Sequence, residues 1–566
     1  MSNLLKKDFS TNHIGLNIRR SKFPRPSQLK TSFNVGDLIP IYFDEVLPGD
    51  TFQMDTAFVA RMSTPIKPTM DNLYLDISYF YVPNRLVWRN WKAFQGENVD
   101  GYWAQPIEYE VPQILSPIPG NVPRGFAHKS LADYLGVPID RGTSENPKLY
   151  GDNFSVTALP FRAYALIWNE FYRDENLQEP CHIYLDDTTR RGSDVIYSDN
   201  PNVNYVVSTE LGGALCRAAK FHDYFTSALP EPQKGGAVEL PLGDIAPLQS
   251  DGPLRVAGAS QGFGVLTFGT AGIAVDATGP LNVYNSGDNA LQGNNDSAYY
   301  AGGLSVDLSQ ATAANINQIR MAFALEQVLE LDARGGTRYN EILHSHFGVT
   351  SPDARLQRPE YLGGKRVPLF INQVLQTSAS ADGGTPQGNT AGFSYNSDKN
   401  AASFTKSFVE HGMIIGLAVV RAEHTYQQGL NKFWFKKRRF DFYMPEFAHI
   451  GEQPIYNKEI YVSGTAEDDE PFGYQEAWAD YRYKPSLVTG EMRSTYPQSL
   501  DVWHYADYYD GTPVLSNEWI QEPTTNIDRT LAVTSQVSDQ FIADFYFDCY
   551  VTRPMPVYSY PGLTRL

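Results

Sequence analysis

Residues 541–551 read FIADFYFDCYV, and the spacing of their side chains decides the fold class. Phe541, Ala543, Phe545, Phe547, Cys549 and Val551 fall on one side of a period of two, with Asp544, Asp548 and Tyr550 on the other. A helix would scatter these apolar side chains around its circumference, whereas a strand lines them up on one face. The stretch predicts a β-strand with one face on a core. Matching signals stand near the other end of the chain. IPIYFDEVLPGDTFQMDTAFVARM (39–62) reads as strand, turn, strand, with Pro48-Gly49-Asp50 as the turn. LYLDISYFYV (73–82) alternates but is largely apolar on both faces, which predicts a buried strand. Strong strands early and late, with everything else inserted between them, are typical of sandwiches and jelly rolls.

Composition agrees. The chain has 566 residues, 42% of them hydrophobic and 19% charged, enough apolar content for a sizeable core and too much for wholesale disorder. Its 35 Tyr, 45 Gly and 37 Pro favour β-sheet joined by long ordered loops. The three cysteines, Cys181, Cys216 and Cys549, form no CxxC pair, which excludes a disulfide framework or structural zinc site and suits a reducing cytoplasm. The opening MSNLLKKDF lacks the apolar run of a signal peptide, and MIIGLAVV (413–420) is too short to span a bilayer. A soluble protein without membrane insertion is expected.

Charge is unevenly spread. Residues 1–30 carry seven bases against one acid, Asp8, a net +6 on a chain whose total is -18. A basic arm on an acidic body is the pattern of an arm that meets a polyanion. The bland alternative is a solvated tail. A second basic cluster lies in FWFKKRRFDFYMPEF (433–447), where Lys436, Lys437, Arg438 and Arg439 are flanked by Phe433, Trp434, Phe435, Phe440, Phe442 and Tyr443. Cations interleaved with rings hold single-stranded nucleic acid, bases stacked and phosphates paired. The alternative is a strand whose rings enter the core while its bases pair with acids on a neighbouring subunit.

Helices are few. Pro160 opens FRAYALIWNEFY, with Phe161, Tyr164, Trp168 and Phe171 at helical spacing. TAANINQIRMAFALEQVLEL (312–331) predicts a longer helix, capped by Thr312, with Ile316, Ile319, Phe323 and Val328 as a buried stripe and Arg334-Gly335-Gly336 as its end. Residues 235–303 change character: fourteen glycines, no lysine, no tryptophan and a lone strong base, Arg255. They predict a β-rich excursion projecting from the body, and SASADGGTPQGNTAGFSYNSDKN (378–400) a surface loop.

Motifs for chemistry are weak. Gly258-Ala259-Ser260-Gln261-Gly262 fits G-x-S-x-G, but a nucleophile elbow needs a helix after the serine and none is predicted there. His344 and His346, with Asp353 and Glu360 close behind, point the same way on a strand and diverge on a helix, and no Cys or HExxH partner stands near them. The acidic run Glu467-Asp468-Asp469-Glu470 lacks the spaced ligands of an EF-hand. No cofactor or catalytic residue is expected.

Several blocks, in order, are familiar: HIGLNIRRSKFPRPSQLKTSFNVGDLIPIYFDEVLPGDTF, TPIKPTMDNLYLDISYFYVPNRLVWRNWKAFQGE, ILHSHFGVTSPDARLQRPEYLGG, FYMPEFAHIGEQPIYNKEIY and FGYQEAWADYRYKPSLVTGEMRS. Their wording resembles the major capsid proteins of gokushoviruses, small icosahedral single-stranded DNA phages of the Microviridae. The resemblance implies a mainly β protein, an eight-stranded antiparallel jelly roll of viral capsid type with long inter-strand insertions and a few short helices. It implies a basic arm over 1–35 on the inner face, a jelly-roll domain over 36–566, a surface insertion over 230–303 forming a three-fold protrusion, and an extended tail over 552–566. Copies would form five-fold clusters and a T=1 shell around circular single-stranded DNA. An internal scaffolding protein, minor virion proteins and a host surface receptor are the further partners implied. Such a protein belongs to the virion and is assembled in the host bacterial cytoplasm.

The expected DNA contacts are Lys6, Lys7, Arg19, Arg20, Lys22 and Arg25, then Lys436, Lys437, Arg438 and Arg439. A divalent ion at a subunit contact is left open. The rival reading is a secreted β-sandwich glycan-binding protein or glycan-active enzyme, against which stand the opening sequence, the sparse cysteines and the basic arm.

Overall fold

The computed structural model describes residues 19–97, 108–117, 125–139, 154–193, 205–236, 316–370 and 395–558, with short strand segments and single positions between them. Two compact units emerge, Met1–Pro232 with Asp332–Leu566, and Gln233–Leu331. The larger is built on strands β1 (Ser21–Pro24), β2 (Ser27–Phe33), β3 (Ile39–Val46), β4 (Thr51–Met62), β5 (Leu73–Pro83), β6 (Glu360–Leu369), β7 (Asn396–Ser407), β8 (Gly412–Ala422) and β9 (Phe541–Arg553).

One sheet runs β2-β9-β4-β7, with β1 following β2 along the same edge of β9; the other runs β6-β5-β8-β3. Every pairing within them is antiparallel. With β1 and β2 sharing an edge, each sheet has four strand positions, and the chain passes repeatedly from one sheet to the other. That is a jelly roll. The long insertions fall between β5 and β6 and between β8 and β9.

The period-two reading holds along β9. Phe541, Ala543, Phe545, Phe547, Cys549 and Val551 are all buried, and Ile542 and Tyr546 on the other face are exposed. Facing them from β4 are Phe52, Met54, Phe58 and Ala60. Across the sandwich the hydroxyls of Tyr79 and Thr56 lie 2.5 Å apart, and the rings of Tyr42 and Phe547 are centred 5.1 Å apart. β5 is buried on both faces because a helix, α1 (Leu159–Phe171), covers the outer side of its sheet. Phe80 meets Phe171 at 4.8 Å, and the Tyr164 hydroxyl donates to the Leu38 carbonyl at 2.6 Å. Pro160 sits in the first turn of α1, where its missing N–H is not needed.

The Pro48-Gly49-Asp50 turn joins β3 to β4, which belong to opposite sheets, so it carries the chain across the sandwich instead of closing a hairpin. Gly49 takes a φ of +91°, a conformation costly for any residue with a Cβ. The fully buried Asp50 carboxylate accepts from the Leu47 N–H and the Arg553 Nε, both at 3.0 Å.

Some expectations need correction. The long helix forms as α2 (Ile316–Arg334), yet Ile316, Phe323 and Val328 are exposed, as are Met321, Leu325 and Leu331. Helical spacing identified the helix, but its apolar side chains are spread around the axis and do not form one stripe. Thr312 lies outside the described residues. The arm drawn over 1–35 does not remain an arm to its end, because residues 21–33 pair with β9 and Phe33 and Val35 are buried. Thr552 and Arg553, assigned to the tail, are the last residues of β9. The compact unit Gln233–Leu331 extends beyond the insertion drawn over 230–303. Within it Leu248–Ser250 pairs with Leu304–Val306, and Arg255–Ala257 with Phe263–Val265. Ser260 lies outside the described residues, and the next element along the chain, Phe263–Val265, is a strand and not the helix of a nucleophile elbow.

His344 and His346 sit on a helix, α3 (Tyr339–Phe347), so they diverge. His346 Nε2 is 2.8 Å from Asp332 Oδ1, and His344 is exposed. Among the described residues no group of three or more His, Cys, Asp or Glu side chains is placed to hold a metal ion, and no helix is long and apolar enough to cross a membrane.

Candidate nucleic-acid interface

The segment after β8 supplies the aromatic and basic surface. Residues 432–447 form neither a strand nor part of the core; they run as three short 3-10 turns, Lys432–Phe435, Arg439–Asp441 and Pro445–Phe447. Asn431 starts the first, its Oδ1 accepting from the Phe433 N–H at 3.0 Å. Asp441 organises the second by accepting from the N–H groups of Arg438 and Lys437 at 2.7 and 2.8 Å. Those backbone donors, with nearby cations, hold its carboxyl below the usual range. A carboxylate bound to the backbone leaves the side chains above it free. Lys437, Arg438 and Arg439 are exposed, and so are Phe433, Phe440, Phe442, Tyr443 and Trp434, the last by 72%.

Lys436 differs from its neighbours. Its Nζ donates to Asp480 Oδ2 at 2.5 Å and lies 4.1 Å from the Tyr481 ring centre. Burial works against its charge, but the Asp480 bond outweighs that and raises its pKa. It is a structural cation. The rings named as a core face in the alternative reading are on the surface, because the 3-10 turns break the period of two that a strand needs.

On the first sheet, Arg19 and Arg20 are exposed, Lys22 lies 4.4 Å above the Tyr550 ring, and Arg25 pairs with Asp44. Asp44 also accepts from the Tyr42 hydroxyl at 3.0 Å, so Arg25 is committed to holding the β1–β2 corner against β3. Lys6 and Lys7 lie outside the described residues. The arm group and the 437–439 group stand on different parts of the unit, one beside β9 and one in the insertion after β8.

Sequence reasoning missed two features. Tyr481, Tyr483, Lys484 and Arg493 extend the aromatic and basic surface; the alternation YRYK (481–484) was a legible signal. Along the same insertion, a buried charge cluster closes around His424. Its Nδ1 is 3.0 Å from Asp507 Oδ1 and its Nε2 3.1 Å from Glu522 Oε2, while Lys220 Nζ reaches Asp507 Oδ2 at 3.3 Å. Burial disfavours charge on the imidazole, but the Asp507 and Glu522 carboxylates overcome this and lift its pKa to about 10. Burial pushes the Asp507 carboxyl up, and Lys220 and His424 more than reverse it, leaving the group well below the usual carboxylate range. Nothing in RAEHTYQQ (421–428) points to partners 83 and 98 residues away.

Comparison with known proteins gives the family. The model of the phage capsid protein (F protein) family matches residues 11–563. The chain belongs to this capsid family. It is 42% identical over 569 residues to capsid protein VP1 of Spiroplasma virus 4, covering 99% of this chain and 97% of that protein. VP1 of Bdellovibrio phage phiMH2K is 42% identical over 559 residues, 96% of this chain and 95% of the relative. VP1 of Chlamydia phage 1 is 41% identical over 604 residues, 97% and 96%. This capsid protein is a major structural component of a phage virion and not an enzyme, which sets the glycan-active reading aside. Its copies associate with one another to form the shell.

Proposed function

We propose that copies of this capsid protein form five-fold clusters and close a T=1 shell around circular single-stranded DNA, which they hold by phosphate contacts and base stacking. The observation that carries the DNA reading is the exposure of Lys437, Arg438 and Arg439 together with the rings around them, a composition suited to sequence-tolerant binding. The basic residues before β1 join them, Lys6, Lys7, Arg19 and Arg20, with Lys22. Arg25 and Lys436 are left out, since each already has a carboxylate partner. An internal scaffolding protein and minor virion proteins complete assembly in the bacterial cytoplasm.

The test is nuclease protection and DNA content of purified particles over a salt series. Lys437→Ala/Arg438→Ala/Arg439→Ala, and separately deletion of residues 1–18, are expected to flatten the salt dependence, by roughly 0.7 in the log–log slope for each phosphate no longer neutralised. A cut at residue 30 is the wrong control, because it also removes β1 and most of β2 from the sheet. Unchanged DNA content and slope in both variants would sink the DNA reading.

The compact unit Gln233–Leu331 is the surface protrusion that meets a host receptor, in the same reading. Replacing residues 237–300 by a short Gly/Ser linker is expected to spare particle formation and reduce adsorption to host cells at least tenfold. Loss of soluble protein would instead make the unit part of the folding core.

A further inference from the structure

Charged side chains hold α3 to the end of α1. Arg338, the residue before α3, donates through Nη2 to the carbonyls of Asn169 and Arg173 at 3.1 and 2.7 Å. Arg358, beyond α3, donates to the Glu170 carbonyl at 3.3 Å and lies 4.2 Å from the Phe171 ring centre. Carbonyls at that end of a helix carry partial negative charge, which suits two guanidinium groups.

Two carboxyls meet beside Arg338. Its Nη1 is 2.9 Å from Glu175 Oε2 and 3.2 Å from Glu341 Oε1. The other two oxygens take backbone donors: Glu175 Oε1 accepts from the Thr337 N–H at 3.2 Å, and Glu341 Oε2 from the Arg338 N–H at 3.1 Å. Glu175 Oε2 is buried and receives no aligned N–H, although Arg338 stands next to it. The two carboxyls are hydrogen-bonded to each other. A carboxylate accepts and does not donate, so that bond exists only while one of the pair carries a proton. Burial pushes the Glu175 carboxyl up, Arg338 pulls it down and Glu341 pushes it up again, leaving it above its ordinary value.

A cavity of about 410 Å³ adjoins the pair, and the other charged groups lining it have partners of their own or face solvent. Arg173 donates to the Gln178 carbonyl, and Asp174 accepts from the N–H groups of Asn176 and Leu177. Arg334 pairs with Glu452, Glu476 with Arg482, and His222 is exposed. On α3 itself His344 is exposed and His346 faces Asp332, while Arg358 also pairs with Asp353 and Glu170.

We propose that Glu175 and Glu341 form a proton-operated latch: one shared proton docks α3 on the end of α1, and its loss loosens the helix together with the apolar tip it carries. Phe347 and Val349 at that tip are exposed, so the latch sets how firmly an apolar surface is held. Without the proton, two carboxylates face each other across one guanidinium. In the released state Glu175 titrates at its ordinary 4.5, and in the docked state higher. Docking is therefore firmest below about pH 4.5 and weakens as pH rises through the docked value.

The experiment is hydrogen exchange of the full-length, unassembled chain at about pH 5 and about pH 8, with protection of residues 339–348 corrected for intrinsic exchange. Protection is expected to fall about threefold or more across that range. Glu175→Gln donates to Glu341 without a titrating proton, so its protection is expected to change by less than about twofold. Glu341→Gln is expected to behave the same way from the other side, and it decides the test if the first variant fails to fold. Constant protection in the parent chain overturns the latch. A fall that persists in both glutamine variants also overturns it and assigns the response to His346 and Asp332.

Discussion

Replacing His424 by leucine is expected to cost the larger unit about 3–5 kcal/mol of folding stability, the penalty for breaking a buried ion pair by removing one partner. The imidazole is almost wholly enclosed and bridges two carboxylates, Asp507 and Glu522, that are themselves buried. Leucine fills much of the space but leaves Glu522 without the imidazole and Asp507 with Lys220 and the neutral donors Tyr509 and Asn526. Urea unfolding of the unassembled chain measures the loss.

The pH profile separates the charge from the packing. The His424 pKa is raised from 6.5 to about 10, so its contribution is complete below about pH 6.5 and is lost as pH rises through 10. The Asp507 pKa is depressed from 3.8, so its contribution is complete above about pH 4 and is lost in acid. The cluster therefore stabilises most between about pH 4 and 6.5. The parent chain is expected to lose stability from pH 7 to 10 more steeply than the leucine variant. Parallel profiles would mean that His424 is not the charged centre of the cluster.

The second large effect lies in the strand whose spacing revealed the fold. Phe545→Ala is expected to cost about 3–5 kcal/mol, the usual range for emptying a buried aromatic site. Its ring is fully buried between the sheets, 6.3 Å from Phe58 and 6.5 Å from Phe547. β9 lies between β2 and β4, so the void opens in the middle of a sheet that cannot collapse from an edge. Tyr546→Ala, one residue on but facing outward, is the control and is expected to stay within about 1 kcal/mol. Equal losses at the two positions would show that the strand is not one-sided in the folded chain.

The sequence carried the sandwich better than it carried the interface, for a physical reason. A strand with one buried face writes its orientation into a period of two, as Phe541 to Val551 do, and a strand buried on both faces writes a continuous apolar run, as Leu73 to Val82 do. Helical spacing likewise located α2, but spacing does not say what covers a face, and Phe323 and Val328 are exposed. The basic residues were visible as types, while their availability depended on partners far away in sequence. Arg25 is held by Asp44 and Lys436 by Asp480, whereas Lys437 to Arg439 are exposed, with the backbone N–H groups of Lys437 and Arg438 bound by Asp441. His424 was silent because its carboxylates lie in another part of the insertion.

The pairing of β1 and β2 with β9 has a consequence for how the protein is made. The bond from the Ser32 hydroxyl to Asp539 spans 507 residues, and the whole β2 register depends on a strand that ends only at Arg553. During synthesis from the amino end, β2 waits with its pairing groups unmet until Phe541–Phe547 have left the ribosome. A message cut short, or a ribosome that stops early, yields a chain whose first sheet lacks its central strand and whose β4 keeps an open edge. Such a chain has no finished sandwich to offer its neighbours. The first sheet therefore closes in chains that extend through β9.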